Sequence, residues 1–177
     1  GRAGWDVGGA CGGASVGGKN VAGALAGSTD GGAGAAGEIQ ITSAEALTVG
    51  TLATGVGVAQ TVSLGTTGGA NLTLSNTTET LSGDTVTLNG STGTVTIANT
   101  TFDVGAGSLT VEADEIDFAG GANSIQSAGG TLTLQPSAAG VSVSVGATVT
   151  GTLDIGTTDI AALQDGFASI IIGRYRH

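Results

Sequence analysis

The stretch that decides the fold is "TVTLNGSTGTVTI", residues 85–97. Val86 and Leu88 alternate with Thr85 and Thr87, and Val95 and Ile97 alternate with Thr94 and Thr96, so each half has the period of two that marks a half-buried strand. Between the halves stands Asn89-Gly90, a dipeptide typical of two-residue hairpins. If the chain folds back there, the product is an antiparallel sandwich. If it continues around a corner, the same residues form one wall of a coil. The spacing of the same pattern along the rest of the chain separates the two.

The unit apolar–small polar–apolar recurs as "LTV" (47–49), "LTL" (72–74), "VTL" (86–88), "VTI" (95–97), "LTV" (109–111), "IDF" (116–118), "LTL" (132–134) and "LDI" (153–155). One set of these units starts at Ile39, Val62, Val86, Leu109, Leu132 and Leu153, with gaps of 23, 24, 23, 23 and 21. A second starts at Leu47, Leu72, Val95, Ile116, Val141 and Ile160, and a looser third at Val56, Leu81, Phe102, Ile125, Val149 and Ile170. Self-similarity at a period of about 22 residues indicates a solenoid, in which no single turn buries its apolar face and stacking creates a shared core. The reading is an all-β fold, a right-handed, three-faced parallel β-helix of about six to seven rungs. The segments long enough for the helices of a leucine-rich horseshoe are missing. Gly, Asn, Ser and Thr between the units supply the corners.

Residues 38–177 form the solenoid in this reading, and residues 1–37 are a Gly/Ala-rich segment that forms either extra rungs or a flexible linker. Val16 lies 23 residues before Ile39, and Leu25 lies 22 before Leu47, which favours an added rung, with Trp5 to Val7 as a strand of a further one. The opening "GRAGWDVGG" has neither an initiator Met nor a signal-peptide pattern, so the chain reads as a piece of something longer. Gly-Arg occurs at residues 1–2 and again at 173–174, a mark of modularity.

Composition excludes several functions. The net charge of -10 repels nucleic-acid backbones and anionic membrane surfaces, and no run is long enough to insert in a membrane. The single cysteine, Cys11, offers neither an intrachain disulfide nor metal-ligand spacing. His177 is the only histidine, and Asn20 to Gly173 contains no positive charge. Asp103, Asp117 and Asp154 fall on three different faces in this register, so no close acid pair arises and the chain does not read as an enzyme or as a cofactor protein. Phe102, Phe118 and Phe167 occupy inward positions, leaving no aromatic platform for sugars.

Three candidate surfaces remain. In "VEADEIDF" (111–118), Glu112, Asp114, Glu115 and Asp117 are the weak candidates for calcium, although the calcium-binding nonapeptide is absent and a solvated acidic corner explains them as well. Beside the inward residues of the first set stand Thr61 and Ser63, Thr85 and Thr87, Ser108 and Thr110, Thr131 and Thr133, then Thr152 and Asp154, a ladder along one flat face. β-branched Thr on an exposed strand accounts for such a ladder without any ligand. The third surface is the closing "IIIGRYRH" (170–177), where Ile170, Ile171 and Ile172 run into Arg174, Tyr175 and Arg176. The preceding "TTDIAALQDG" allows one helical turn with Thr158 as N-cap and Gly166 just past its end. An uncovered final strand followed by arginines reads as a self-assembly interface, with a head-to-tail copy of the same chain, or an adjacent repeat of one polypeptide, as its partner.

The segments "GGANLTLSN", "STGTVTIANT", "GAGSLTVEADEIDF" and "AGGTLTLQPSA" resemble the β-helical repeat regions of filamentous-haemagglutinin-like adhesins and other giant bacterial surface proteins, over residues 38–173. "TTDIAALQDGFASIIIGR" (157–174) is similar to a segment that recurs between units of very large exoproteins. The resemblance implies a secreted, surface-associated structural or adhesive role. The chain departs from these proteins in being short and in lacking a two-partner secretion domain. The Thr-x-Thr ladder also resembles the ice-binding faces of β-solenoid antifreeze proteins, which implies an alternative as a monomeric ice-binding or glycan-binding solenoid.

Overall fold

A computed structural model describes residues 14–17, 22–23, 38–50, 52, 60–75, 78–81, 84–148 and 150–174. In chain order the strands are β1 (Ala14–Gly17), β2 (Ala22–Gly23), β3 (Glu38–Ser43), β4 (Leu47–Val49), β5 (Thr61–Thr66), β6 (Leu72–Leu74), β7 (Thr78–Thr80) and β8 (Thr85–Ile97). They continue as β9 (Thr101–Asp103), β10 (Leu109–Asp117), β11 (Ile125–Gln126), β12 (Thr131–Gln135), β13 (Val143–Gly146) and β14 (Leu153–Gly156), then helix α1 (Thr157–Ala162) and β15 (Ser169–Ile172).

Residues 85–97 do not fold back. They form one strand, β8, which bends at Asn89-Gly90-Ser91. The Asn89 side-chain oxygen accepts the Ser91 N–H at 2.7 Å, and Ser91 takes a positive φ of 51°, so the polar dipeptide makes a corner. Gly90 is needed there because a Cβ would lie 2.9 Å from Val95 Cγ2 and 3.1 Å from Ala113 Cβ. On one edge the first half of β8 pairs with β5 and the second half with β6, while β10 pairs along the other edge. Every strand pair is parallel, as stacked coils require and a hairpin forbids. The chain is a β-solenoid of about four turns.

Two ladders share the large sheet. The upstream ladder runs β1-β3-β5-β8-β10-β12-β15, and the downstream ladder runs β2-β4-β6 into the second halves of β8 and β10. A smaller sheet, β7-β9-β11, forms a further wall. Inward residues align by register into apolar columns, such as Val62, Val86, Leu109 and Leu132, or Leu64, Leu88, Val111 and Leu134, all buried. Phe102 and Phe118 are buried and Phe167 packs against the same core, as their positions in the period predict. The core is narrow enough for aliphatic side chains to fill it at crystal-like density.

The period holds from Ile39 to Leu132 on the upstream ladder and then breaks. Leu132 pairs with Ile170, not with Leu153. Leu153 and Ile155 are buried beside the second half of β10, in the place the sequence period assigned to Val141, while Ile160 sits exposed on α1. Ile170 therefore continues the upstream ladder rather than the β7-β9-β11 sheet, whose Ile125 bridges Leu163. The cause is an arm, residues 136–152, inserted between β12 and β14. It interrupts the repeat, and a period argument has no means to see past it. Two smaller slips occur: Phe102 aligns with Glu79 rather than Leu81, and Val16 with Ile41 rather than Ile39. The last helix differs too. Its N-cap is Gly156, not Thr158, its C-cap is Leu163, and Asp159 accepts the Gly156 N–H at 2.8 Å. Val56, Val149, Leu25 and Trp5 to Val7 lie outside the described residues.

Candidate functional site

Strand β15 carries three of the five large apolar side chains exposed among the described residues. β15 pairs with β12 on one edge, placing Ile170 on Leu132, Ile171 on Thr133 and Ile172 on Leu134. Among the described residues nothing pairs with its other edge. Leu132 and Leu134 are fully buried, whereas Ile170, Ile171 and Ile172 are 48%, 47% and 42% exposed. The inward columns thus end in isoleucines that keep the apolar pattern without burying it.

A second edge stands beside the first. β14 lies against the second half of β10, where the Glu115 carboxylate accepts the Asp154 N–H, and β13 pairs with β14 on the outside. The arm that delivers β13 is tightly tied. Ser144 Oγ donates to Asp154 Oδ1 at 2.5 Å and accepts the N–H groups of Thr150 and Gly151 at 3.0 Å each. Gly151 N–H also reaches Asp154 Oδ1 at 2.8 Å, and Thr152 N–H reaches Ser142 Oγ at 2.9 Å. Val145 at its centre is 50% exposed.

Arg174 does not project from the tip. Its guanidinium meets Glu112 Oε2 at 2.7 Å and donates to the carbonyls of Pro136 and Ser137 at 3.2 and 3.0 Å. Glu112 Oε2 also accepts Gln135 Nε2 at 2.6 Å, and Glu112 Oε1 accepts Asn89 Nδ2 at 3.4 Å. The ladder Asn89–Glu112–Gln135–Arg174 therefore fastens four successive levels and the root of the arm. Arg174 belongs to this clamp, and Tyr175 and Arg176 lie outside the described residues. The sequence offers one signal for the arm: the chain's only proline, Pro136, directly follows β12. Nothing in the spacing marks the clamp, because Arg174 lies 62 residues from Glu112.

The four calcium candidates do not converge. Glu112 is engaged by Arg174, and Asp114 Oδ1 accepts the Ser137 hydroxyl at 2.5 Å and its N–H at 3.3 Å. Glu115 and Asp117 instead face Asp154 and Asp159, which the interrupted repeat brings to the same corner. Asp117 and Asp154 are thus neighbours of one carboxylate rather than occupants of separate faces. Burial, with Asp154, Asp159 and Asp117 adding repulsion, pushes Glu115 above the usual carboxylate range. Burial and Asp159 push Asp117 up in the same way. Asp159 is held by the N–H groups of Phe118 at 2.9 Å and Gly156 at 2.8 Å. Among the described residues no group of three His, Cys, Asp or Glu side chains has metal-binding geometry.

The Thr ladder is in register over four strands. Thr61 aligns with Thr85, and Ser63, Thr87, Thr110 and Thr133 form one column. Thr85 is exposed, while Thr87, Thr110, Thr131 and Thr133 are half-buried by their stacked neighbours. Ser169 and Ile171 continue the columns, with Thr131 and Ser169 hydroxyls 3.0 Å apart, in place of Thr152 and Asp154. No helix among the described residues is long and apolar enough to cross a membrane. In comparisons with protein-family models, curated proteins and solved structures, the chain finds no match.

Proposed function

We propose that this chain is a structural module of an extracellular bacterial surface fibre or adhesin, a right-handed, three-faced solenoid of six to seven rungs. It stacks head to tail into a filament or against adjacent repeats of one polypeptide. The observation that carries this reading is β15: its inward residues continue the buried columns, yet Ile170, Ile171 and Ile172 remain 42–48% exposed along an edge that nothing pairs among the described residues. A free, flat, apolar edge strand is a template for another strand, and proteins that stay apart protect such edges with charge, proline or a bulge. A translation along the coil gives a heterologous contact that does not close, and the product is a fibre. The acidic, small-residue composition and the resemblance to adhesin coils support an extracellular setting. The role is non-catalytic and calls for no cofactor.

Sedimentation velocity and negative-stain microscopy across a hundredfold range of protein concentration test it. Elongated particles that lengthen with concentration are the expected result. A single monomeric species throughout overturns stacking between separate chains.

The Thr columns favour a second reading, a monomeric ice-binding solenoid, because hydroxyls and methyls repeat in register over four strands at about 4.8 Å. Thermal hysteresis that vanishes in Thr110→Lys supports it, and unaltered ice-crystal growth removes it.

A further inference from the structure

Two strand edges that nothing pairs among the described residues lie beyond the neighbours of β10. On the upstream ladder β12 and then β15 lie beyond it, and on the downstream side β14 and then β13 do. β13 precedes β14 in the sequence but stacks outside it, because the 136–152 arm climbs one level, lays down a strand and drops back. We infer that the arm supplies, out of turn, the downstream strand of the outermost coil. The assembly surface is then β15 and β13 together, and it seats the β1–β2 end of a second copy of this chain. This rests on the stacking reading above and adds its surface, occupant and register.

Register selects the occupant. Through successive parallel pairs, Ala14 opens the column that ends in Ile170, Ser15 the column that ends in Ile171, and Val16 the column that ends in Ile172. A copy translated along the coil sets Ala14 on Ile170 and Val16 on Ile172, so the small-polar-apolar order of "ASV" repeats the pattern of every strand below it. The two ends also match in layout. β1 and β2 open the upstream and downstream ladders; β15 continues the upstream one, and β13, paired in parallel with β14 in a sheet of its own, lies beyond the side of β14 that packs on β10. Of the five large apolar side chains exposed among the described residues, four lie on these two strands: Val145, Ile170, Ile171 and Ile172. None of the four edge strands carries a charged residue or a proline, in a chain of net charge -10. Within these four strands two of the usual guards against edge pairing, charge and proline, are missing.

Disulfide trapping and association together test this. In a Cys11→Ser background, Ser15→Cys combined with Ile171→Cys is expected to give a ladder of cross-linked oligomers on air oxidation, since paired strands hold Cα atoms about 5 Å apart, within disulfide reach. Either cysteine alone is expected to give no cross-linked species on a denaturing gel. A dimer from Ile171→Cys alone reports tail-to-tail contact and overturns the assignment. In sedimentation, Ile170→Asp and Val145→Asp are each expected to weaken association at least tenfold. Ile160→Asp, on α1, is expected to leave it unchanged, with circular dichroism confirming that all three fold. If Ile170→Asp dissolves the assembly and Val145→Asp does not, the two-strand surface is wrong while stacking survives. A wild-type chain that never associates removes both.

Discussion

Gly130 has no room for a methyl group. A Cβ there would land on the Gly107 carbonyl oxygen of the coil below and crowd the Ser127 hydroxyl that its own N–H bonds at 2.8 Å. The obstacle is backbone, which cannot rotate aside, so Gly130→Ala is expected to destabilise by about 3 kcal/mol, read as a lower denaturation midpoint with an unchanged slope. Glu115 and Asp117 work in the opposite sense. Both bind a proton more readily in the folded chain than in the unfolded one, so stability falls as pH rises from the ordinary carboxylate range through their raised values. The penalty is fully present at pH 7 and relieved at mildly acid pH. Glu115→Gln, which keeps an acceptor for the Asp154 N–H, is expected to raise stability at pH 7 by a few tenths of a kcal/mol and to flatten the acid side of the stability profile. Thermal melts between pH 4 and 7.5 check both statements. At this scale the sequence was legible for the apolar positions, because alternation needs only neighbouring residues. It was silent on Glu115 meeting Asp154, which depends on where a distant segment lands.

Among the elements, β8 and the 136–152 arm show how local chemistry and tertiary context divide the work. Asn89-Gly90 has the composition of a hairpin turn, but Val95 and Ile97 gain more by burial against Leu72 and Leu74 than a two-stranded ribbon offers. The dipeptide is used as a corner. The arm is held by hydrogen bonds through Ser142, Ser144, Asp154 and the Arg174 clamp, with Val143 packed against the core. Arg174→Ala removes one ion pair and two carbonyl contacts from a half-buried guanidinium, a loss of about 2 kcal/mol. Faster amide exchange at residues 137–146 and in β15 is the expected signature, with β5 and β8 unaffected. Equal exchange in variant and wild type would show that the arm holds without the clamp.

As a whole the molecule is a one-dimensional stack in which each coil packs chiefly on its neighbours, so stability is close to a sum of similar interfaces and the ends are the weakest. Native-state exchange is expected to be slowest in β8 and β10, which have strands on both sides, and fastest in β13 and β15. Leu88→Ala, a fully buried link of a central column, is expected to cost about 3 kcal/mol and to lower the denaturation midpoint equally at probes placed toward either end of the stack. Spacing and alternation alone dictate that this chain coils, with parallel strands about 23 residues apart and the aliphatic residues inward. A repeat writes the same local instruction at every turn, and stacking is the one arrangement that satisfies all copies at once. Long-range packing sets the rest: that Ile170 rather than Leu153 sits on Leu132, that β13 stacks outside β14, and that Arg174 turns back to Glu112. Those placements follow from an insertion that has no earlier copy in the chain, so no period encodes them, and they are set by which buried columns and carboxylates remain to be satisfied.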